Sequence, residues 1–104
     1  MADRWLIFTP APPGTHRIAL YPARENTPTA VQIAQTELLP SIIARKAVEL
    51  DFAGMDLCTQ SWLHALLFEA VRIAWALRVP IHAIHADPAV TEGLRFLESY
   101  ALGG

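Results

Sequence analysis

Val-Glu-Leu-Asp-Phe-Ala-Gly-Met, residues 48–55, has the pattern of a buried strand that runs into a tight turn. Its apolar side chains alternate with Glu49 and Asp51, and Gly54 lets the backbone turn. The hydroxyl-rich segment 56–61 follows and leads into a long apolar helix. Open α/β sheets bind their ligands where the carboxyl end of a strand feeds a helix start. We therefore expect the functional site at this junction.

Length and composition predict one folded domain over residues 1–104. Hydrophobic residues make up 53% of the chain and charged residues 17%, which excludes a disordered protein. No apolar run reaches the ~18 residues of a membrane helix, and the first residues lack a signal-peptide pattern. The single Cys58 forms no internal disulfide. These features predict a cytoplasmic protein without a membrane partner.

The charge distribution argues against nucleic-acid binding. Eight basic and ten acidic residues give a net charge of −2, and the basic residues are scattered. A nucleic-acid-binding surface requires clustered positive charge. We expect no nucleic-acid partner.

The element order predicted from periodicity and turn signals is β-β-α-β-α-β-α. The first two strands flank the proline-rich segment 10–15 and are predicted to form a hairpin within residues 1–22, although a flexible arm is the alternative. Thr27 and Pro28 signal a helix start, and Pro40 is expected to end or kink that helix. The predicted strands are residues 5–9, 16–21, 48–52 and 79–85, and the predicted helices are 27–40, 59–77 and the segment beginning at Asp87. Alternating strands and helices predict a small α/β fold with a mixed, largely parallel sheet and an antiparallel hairpin strand at its edge.

Two short stretches resemble the central signature of STAS domains, and more closely that of the bacterial STAS-like class. They are Leu-Asp-Phe-Ala-Gly-Met at 50–55 and Thr-Gln-Ser-Trp-Leu at 59–63. The strand at 81–85 and the turn at 87–90 resemble the segment that follows in the family, so the resemblance covers residues 27–100. It implies a STAS-like regulatory domain, similar to anti-sigma factor antagonists, without catalysis of its own.

The resemblance also implies a protein partner, often an ATPase of the histidine-kinase-like class, bound through the loop after the central strand and the next helix. In switching members a Ser beside an Asp is phosphorylated there. In this chain Thr59 stands where that Asp would be and Gln60 where the Ser would be, with Ser61 one place later. Thr59 and Ser61 are candidate phosphate acceptors, and the alternative is that they only cap the helix. Asp56, Thr59, Gln60 and Ser61 are predicted partner contacts.

The pairs of residues suited to catalysis or metal binding are incomplete. Ser61 and His64 suggest a nucleophile and a base, but an orienting acid and an oxyanion hole are not evident. His82 and His85 are three residues apart on a strand, which predicts opposite faces and no shared ion. Cys58 with His64 is likewise an incomplete ligand set. We expect no enzyme activity, no metal and no cofactor.

Four large or charged residues fall on the side of the long helix that faces away from the predicted core. They are His64, Phe68, Arg72 and Trp75, at spacings of four, four and three. Aromatic residues beside an arginine are typical of interface hot spots. This side is therefore predicted to bind a partner, or a second copy of the chain through Phe68 and Trp75. The alternative is that the amino-terminal hairpin covers it.

The function predicted first is a non-enzymatic regulatory domain that docks on a larger protein, such as an ATPase or kinase-like protein. The second hypothesis is a small inhibitor encoded by a phage or mobile element that blocks a host or defence complex. The third is a small hydrolase that uses Ser61 and His64.

Overall fold

A computed structural model describes residues 5–24, 26–56 and 58–103 of the chain. Four strands and four α-helices make up the described fold. The strands are β1 (Leu6–Ile7), β2 (His16–Ala19), β3 (Val48–Asp51) and β4 (Ile81–Ile84). The helices are α1 (Thr27–Ile33), α2 (Leu39–Ile43), α3 (Gln60–Leu77) and α4 (Pro88–Ala101), with a 3-10 turn at Tyr21–Ala23.

The four strands form one parallel sheet in the order β1-β4-β3-β2. The predicted α/β class is confirmed, but the predicted hairpin and its antiparallel edge strand are wrong. β1 pairs with β4 and β2 pairs with β3, so the two amino-terminal strands lie at opposite edges of the sheet.

The reason for this arrangement lies in the connection between β1 and β2, residues 8–15, which we call the crossing segment. Eight extended residues span up to about 26 Å, and β1 and β2 are three strand spacings or about 14 Å apart. The segment can therefore cross the sheet instead of reversing direction. It is anchored on the way, because His82 Nδ1 lies 3.0 Å from the Thr9 carbonyl and Ala11 N–H donates to Glu49 at 2.7 Å. The flexible-arm alternative is also wrong, because both amino-terminal strands are paired in the sheet and the segment between them is anchored by these contacts.

The helices pack together on the other side of the sheet, where α3 contacts both α1 and α4. Leu50 pairs in register with Ile18 and Ala83, and all three are buried. Side chains alternate along a strand, so Glu49 and its register partner His82 point toward the crossing segment. The core thus lies between the sheet and α3, and the opposite face of the sheet carries polar groups beneath the crossing segment.

Local signals position the helices with small departures from prediction. Asp87 caps α4 by accepting from Val90 N–H at 3.0 Å, with Pro88 in the first turn as predicted. At α1 the capping residue is Asn26, one residue before the predicted Thr27. Pro40 does not end its helix, because Ala34–Leu38 widens into a π-helical stretch and the helix continues to Ile43.

No helix in the described part of the chain has the length and apolar character needed to cross a membrane.

Candidate functional site

The amino end of α3 is built by a helix cap and a buried indole. Thr59 Oγ1 accepts from Trp62 N–H at 3.2 Å, so this hydroxyl has the capping role that was the alternative to a functional one. Trp62 is buried, and its Nε1–H donates to the Ala23 carbonyl at 2.8 Å. The start of α3 is therefore fixed against the core.

The predicted contact residues at this end have different surroundings. Asp56 and Ser61 are exposed. Gln60 instead lies between two helices, where its Nε2 donates to the Gly93 carbonyl at 3.0 Å. Its Oε1 is buried and has no hydrogen-bond partner among the described residues. Asp56 and Ser61 are thus accessible, whereas Gln60 joins α3 to α4.

The four residues predicted on the outer side of α3 lie there, beside two aromatic residues of α4. His64 stacks on Phe68 with 4.4 Å between ring centroids, and both rings stack against Tyr100 at 5.9 and 5.8 Å. Phe96 contacts the edge of Tyr100 at 5.5 Å. We call this surface the aromatic face; its members are His64, Phe68, Arg72, Trp75, Phe96 and Tyr100.

The aromatic face is partly open to solvent, with Phe68 and Tyr100 half-buried. Phe96 is 60% exposed and Trp75 is 36% exposed. Arg72 lies over the Phe68 ring at 5.4 Å, and Arg78 lies over Trp75 at 4.6 Å. Because the crossing segment lies on the opposite side of the sheet, a covering amino-terminal hairpin, the alternative considered above, is wrong.

A groove of about 650 Å³ runs beside this face, where α3 extends beyond the end of α4. Its floor and walls include Phe68, Ile73, Trp75 and Tyr100, and Glu69 and Arg72 add one charge of each sign. Apolar grooves with a few charged groups at the margin are typical of peptide and helix binding. Phe96 and Tyr100 were not predicted from the sequence, although their spacing of four on a helix places them on one side.

A second cluster lies at the carboxyl ends of β3 and β4. His85 Nδ1 is 2.8 Å from Asp51 Oδ1, and the same oxygen accepts from Ala53 N–H at 2.9 Å. Partial burial acts to raise the pKa of Asp51, but the bonds from His85 and Ala53 outweigh it, and positive charge nearby adds to their effect. The pKa of Asp51 is therefore below its ordinary value, and the carboxylate is ionised at neutral pH.

A shallow cavity of about 510 Å³ adjoins this pair, lined by Asp51, Tyr21 and the turn at Gly54. The guanidinium of Arg24 lies 4.0 Å from the centre of the Tyr21 ring. Sequence reasoning assigned no role to His85 with Asp51. The sequence feature that could have revealed this pair is that both residues lie at the ends of strands in a predicted parallel sheet.

The other polar pairs have structural partners. His64 Nδ1 lies 3.0 Å from the Tyr100 hydroxyl, and no bond to Ser61 is present in the described ranges. His82 contacts the Thr9 carbonyl and His85 contacts Asp51, so the two histidines do not share a partner. Burial, with the charge of Asp87, raises the pKa of the half-buried Cys58 thiol to about 11. Residues 5–24, 26–56 and 58–103 contain no group of three side chains arranged to hold a metal ion.

No family model, curated protein or solved structure matches this chain.

Proposed function

We propose that this protein is a non-enzymatic regulatory domain that binds a larger protein through its aromatic face. The observation that carries the proposal is the exposed Phe96 ring in contact with the half-buried rings of Tyr100 and Phe68, beside an open groove. Exposed aromatic side chains next to arginine bury large rigid surfaces at low entropic cost, which is why they dominate binding energy at interfaces.

Surface continuity supports a docking site that begins at the amino end of α3. Ser61, His64 and Phe68 are spaced by three and four residues, so they lie on one side of the helix. Ser61 is exposed at the end of this row. The predicted contact Ser61 therefore adjoins the aromatic face, and one partner can touch both.

Ser61 is the better of the two candidate phosphate acceptors. The Thr59 hydroxyl already caps α3, whereas no helix cap depends on Ser61. A phosphate on Ser61 would add about −1.5 to −2 charges at the positive end of the helix, where it is well tolerated, and would alter any partner contact beside His64. This supports a switchable regulatory domain of the STAS-like kind, with an ATPase or kinase-like protein as its partner.

Affinity capture from an extract of the native host tests the proposal. Phe96→Ser removes one member of the aromatic face, and Ile43→Ser is the matched control because Ile43 is 61% exposed at the end of α2. We expect wild type and Ile43→Ser to recover the same protein and Phe96→Ser to recover it at least about tenfold less. Equal recovery by all three, or no specific protein, would contradict the proposal.

The identity of the captured protein separates the regulatory and inhibitory forms of this function. An ATPase of the kinase-like class favours a regulatory domain. A nuclease or other defence complex whose activity falls on binding favours the inhibitor hypothesis.

A further inference from the structure

We propose that His85 is a phosphoryl acceptor, with Asp51 as its positioning residue. The site lies at the carboxyl edge of the sheet and shares no residue with the aromatic face. It is independent of the proposed docking function, so either can fail without the other.

The hydrogen bond fixes which ring nitrogen of His85 is nucleophilic. An ionised carboxylate can only accept, so Nδ1 of His85 carries the proton and donates it to Asp51 Oδ1 at 2.8 Å. In the neutral imidazole, which is the nucleophilic form, Nε2 then keeps its lone pair, and this nitrogen has no hydrogen-bond partner in the described part of the chain. The His85 side chain is 59% exposed, so a donor molecule can reach Nε2.

The backbone holds this pair in place. Asp51 and Ile84 are register partners on adjacent strands, and Phe52 N–H donates to the Ile84 carbonyl at 3.0 Å just beyond them. His85 then has a positive φ of 58°, a left-handed conformation that is uncommon for residues other than glycine. The imidazole is thus pre-oriented against a carboxylate that is itself fixed by Ala53.

The surroundings favour an anionic group over a neutral one. Arg17 adds positive charge near Asp51 and is 57% exposed, although its Nε is already paired with Glu49 at 2.8 Å. Arg24 lies on Tyr21 at the adjoining cavity. Guanidinium groups are well suited to phosphate oxygens. Positive charge on this side of the site is compatible with a phosphoryl donor that carries negative charge.

The reaction balances with a donor of the phosphoramidate class, which includes a phosphohistidine on another protein. The Nε2 lone pair forms a bond to phosphorus, and the P–N bond of the donor breaks with its electron pair leaving on nitrogen. From phosphoramidate in its zwitterionic form, ammonia leaves and no further proton moves. The ring becomes a phosphorylated imidazolium, and its Nδ1–H stays bonded to Asp51, whose negative charge stabilises the product.

Phosphoramidate itself is the probe, and the chain supplies internal controls. His16 is a matched histidine, since it is also exposed and lies 3.3 Å from a carboxylate, Glu37, but through Nε2. His64 is exposed and contacts a hydroxyl instead of a carboxylate. The initial labelling rate of each histidine is measured at pH 7 as acid-labile, base-stable phosphate by peptide mapping. Phosphate on Ser61 is acid-stable and is not counted.

We expect His85 to be labelled at least about tenfold faster than His16 or His64, the scale of one charge-assisted hydrogen bond. Asp51→Asn should lower the His85 rate by a similar factor, and Glu37→Gln should leave it unchanged. Labelling of His85 no faster than that of His16 would overturn the proposal, and this comparison needs only the wild-type chain. A folded Asp51→Asn protein that labels at the wild-type rate would overturn it as well.

Discussion

Gly54 shows how one residue serves both the turn after β3 and the cavity beside Asp51. Its φ is +82°, and a Cβ at this position would lie 3.0 Å from Cδ1 of Tyr21. The backbone conformation and the close approach of an aromatic ring both require glycine. The Leu-Asp-Phe-Ala-Gly-Met stretch is therefore constrained by packing against the 3-10 turn at Tyr21–Ala23 as well as by its own turn.

A pair of alanine substitutions separates these two requirements. Gly14 has a φ of +89°, close to that of Gly54, and a Cβ added there would meet open space. A Cβ added at Gly54 would also contact Tyr21. We expect Gly14→Ala to cost about 1–2 kcal/mol of unfolding free energy from its φ alone. Gly54→Ala should cost about 1 kcal/mol more from overpacking. Urea denaturation measures both, and equal losses would show that Tyr21 simply moves aside.

Residue-level reasoning from sequence succeeded where a local pattern determines the environment. The cap-and-proline signal at Asp87 depends on neighbouring residues only, and the structure has the predicted cap. The bond between His85 and Asp51 joins residues 34 positions apart in sequence and depends on the register of two strands. Such a contact can be predicted only once the strand order is known, so the sequence analysis assigned no role to this pair.

At the scale of elements, the crossing segment is where the prediction from sequence failed, because a hairpin was expected there. Two apolar runs flanking a proline-rich loop look the same whether the chain reverses or crosses a sheet. A hairpin and a crossing connection differ in which strand each amino-terminal strand pairs with. Here β1 pairs with β4, with Leu6 opposite Ile81. The carboxylate of Glu98 on α4 adds hydrogen bonds from the Trp5 and Leu6 amides, which hold β1 at that edge.

Glu49 is one of the two side chains that anchor the crossing segment, and it makes stability sensitive to acid. The bond from Ala11 N–H and the bond from Arg17 Nε at 2.8 Å hold the pKa of Glu49 below its ordinary value of 4.5, despite the opposing effect of burial. A lowered folded-state pKa gives stability that is fully present above pH 4.5 and is lost as pH falls through the folded value.

We therefore expect the unfolding free energy of the wild type to fall as pH drops below about 4.5. Glu49→Gln should be less stable at pH 7 and should lose less stability between pH 5 and pH 3. Glu37→Gln, which removes an exposed carboxylate beside His16, is the control and should change neither. Parallel pH profiles for wild type and Glu49→Gln would contradict this role for Glu49.

At the scale of the whole molecule, the two faces of the sheet are covered differently. Helices bury the core on one side, and the aromatic face lies on the outer side of that helical layer. The crossing segment covers polar groups on the other side. The helical periodicity of α3 placed four of the six members of the aromatic face correctly, because one helix alone determines which of its residues point outward. Phe96 and Tyr100 required the packing of α4 against α3.

The central claim, that the aromatic face binds another protein, is tested most directly by site-specific photo-crosslinking in an extract of the native host. Benzoylphenylalanine replaces Phe96 in one protein and the equally exposed Ile43 in another. The account predicts one abundant covalent adduct from position 96 that is absent from position 43. No adduct at position 96, or the same adducts from both positions, would contradict it.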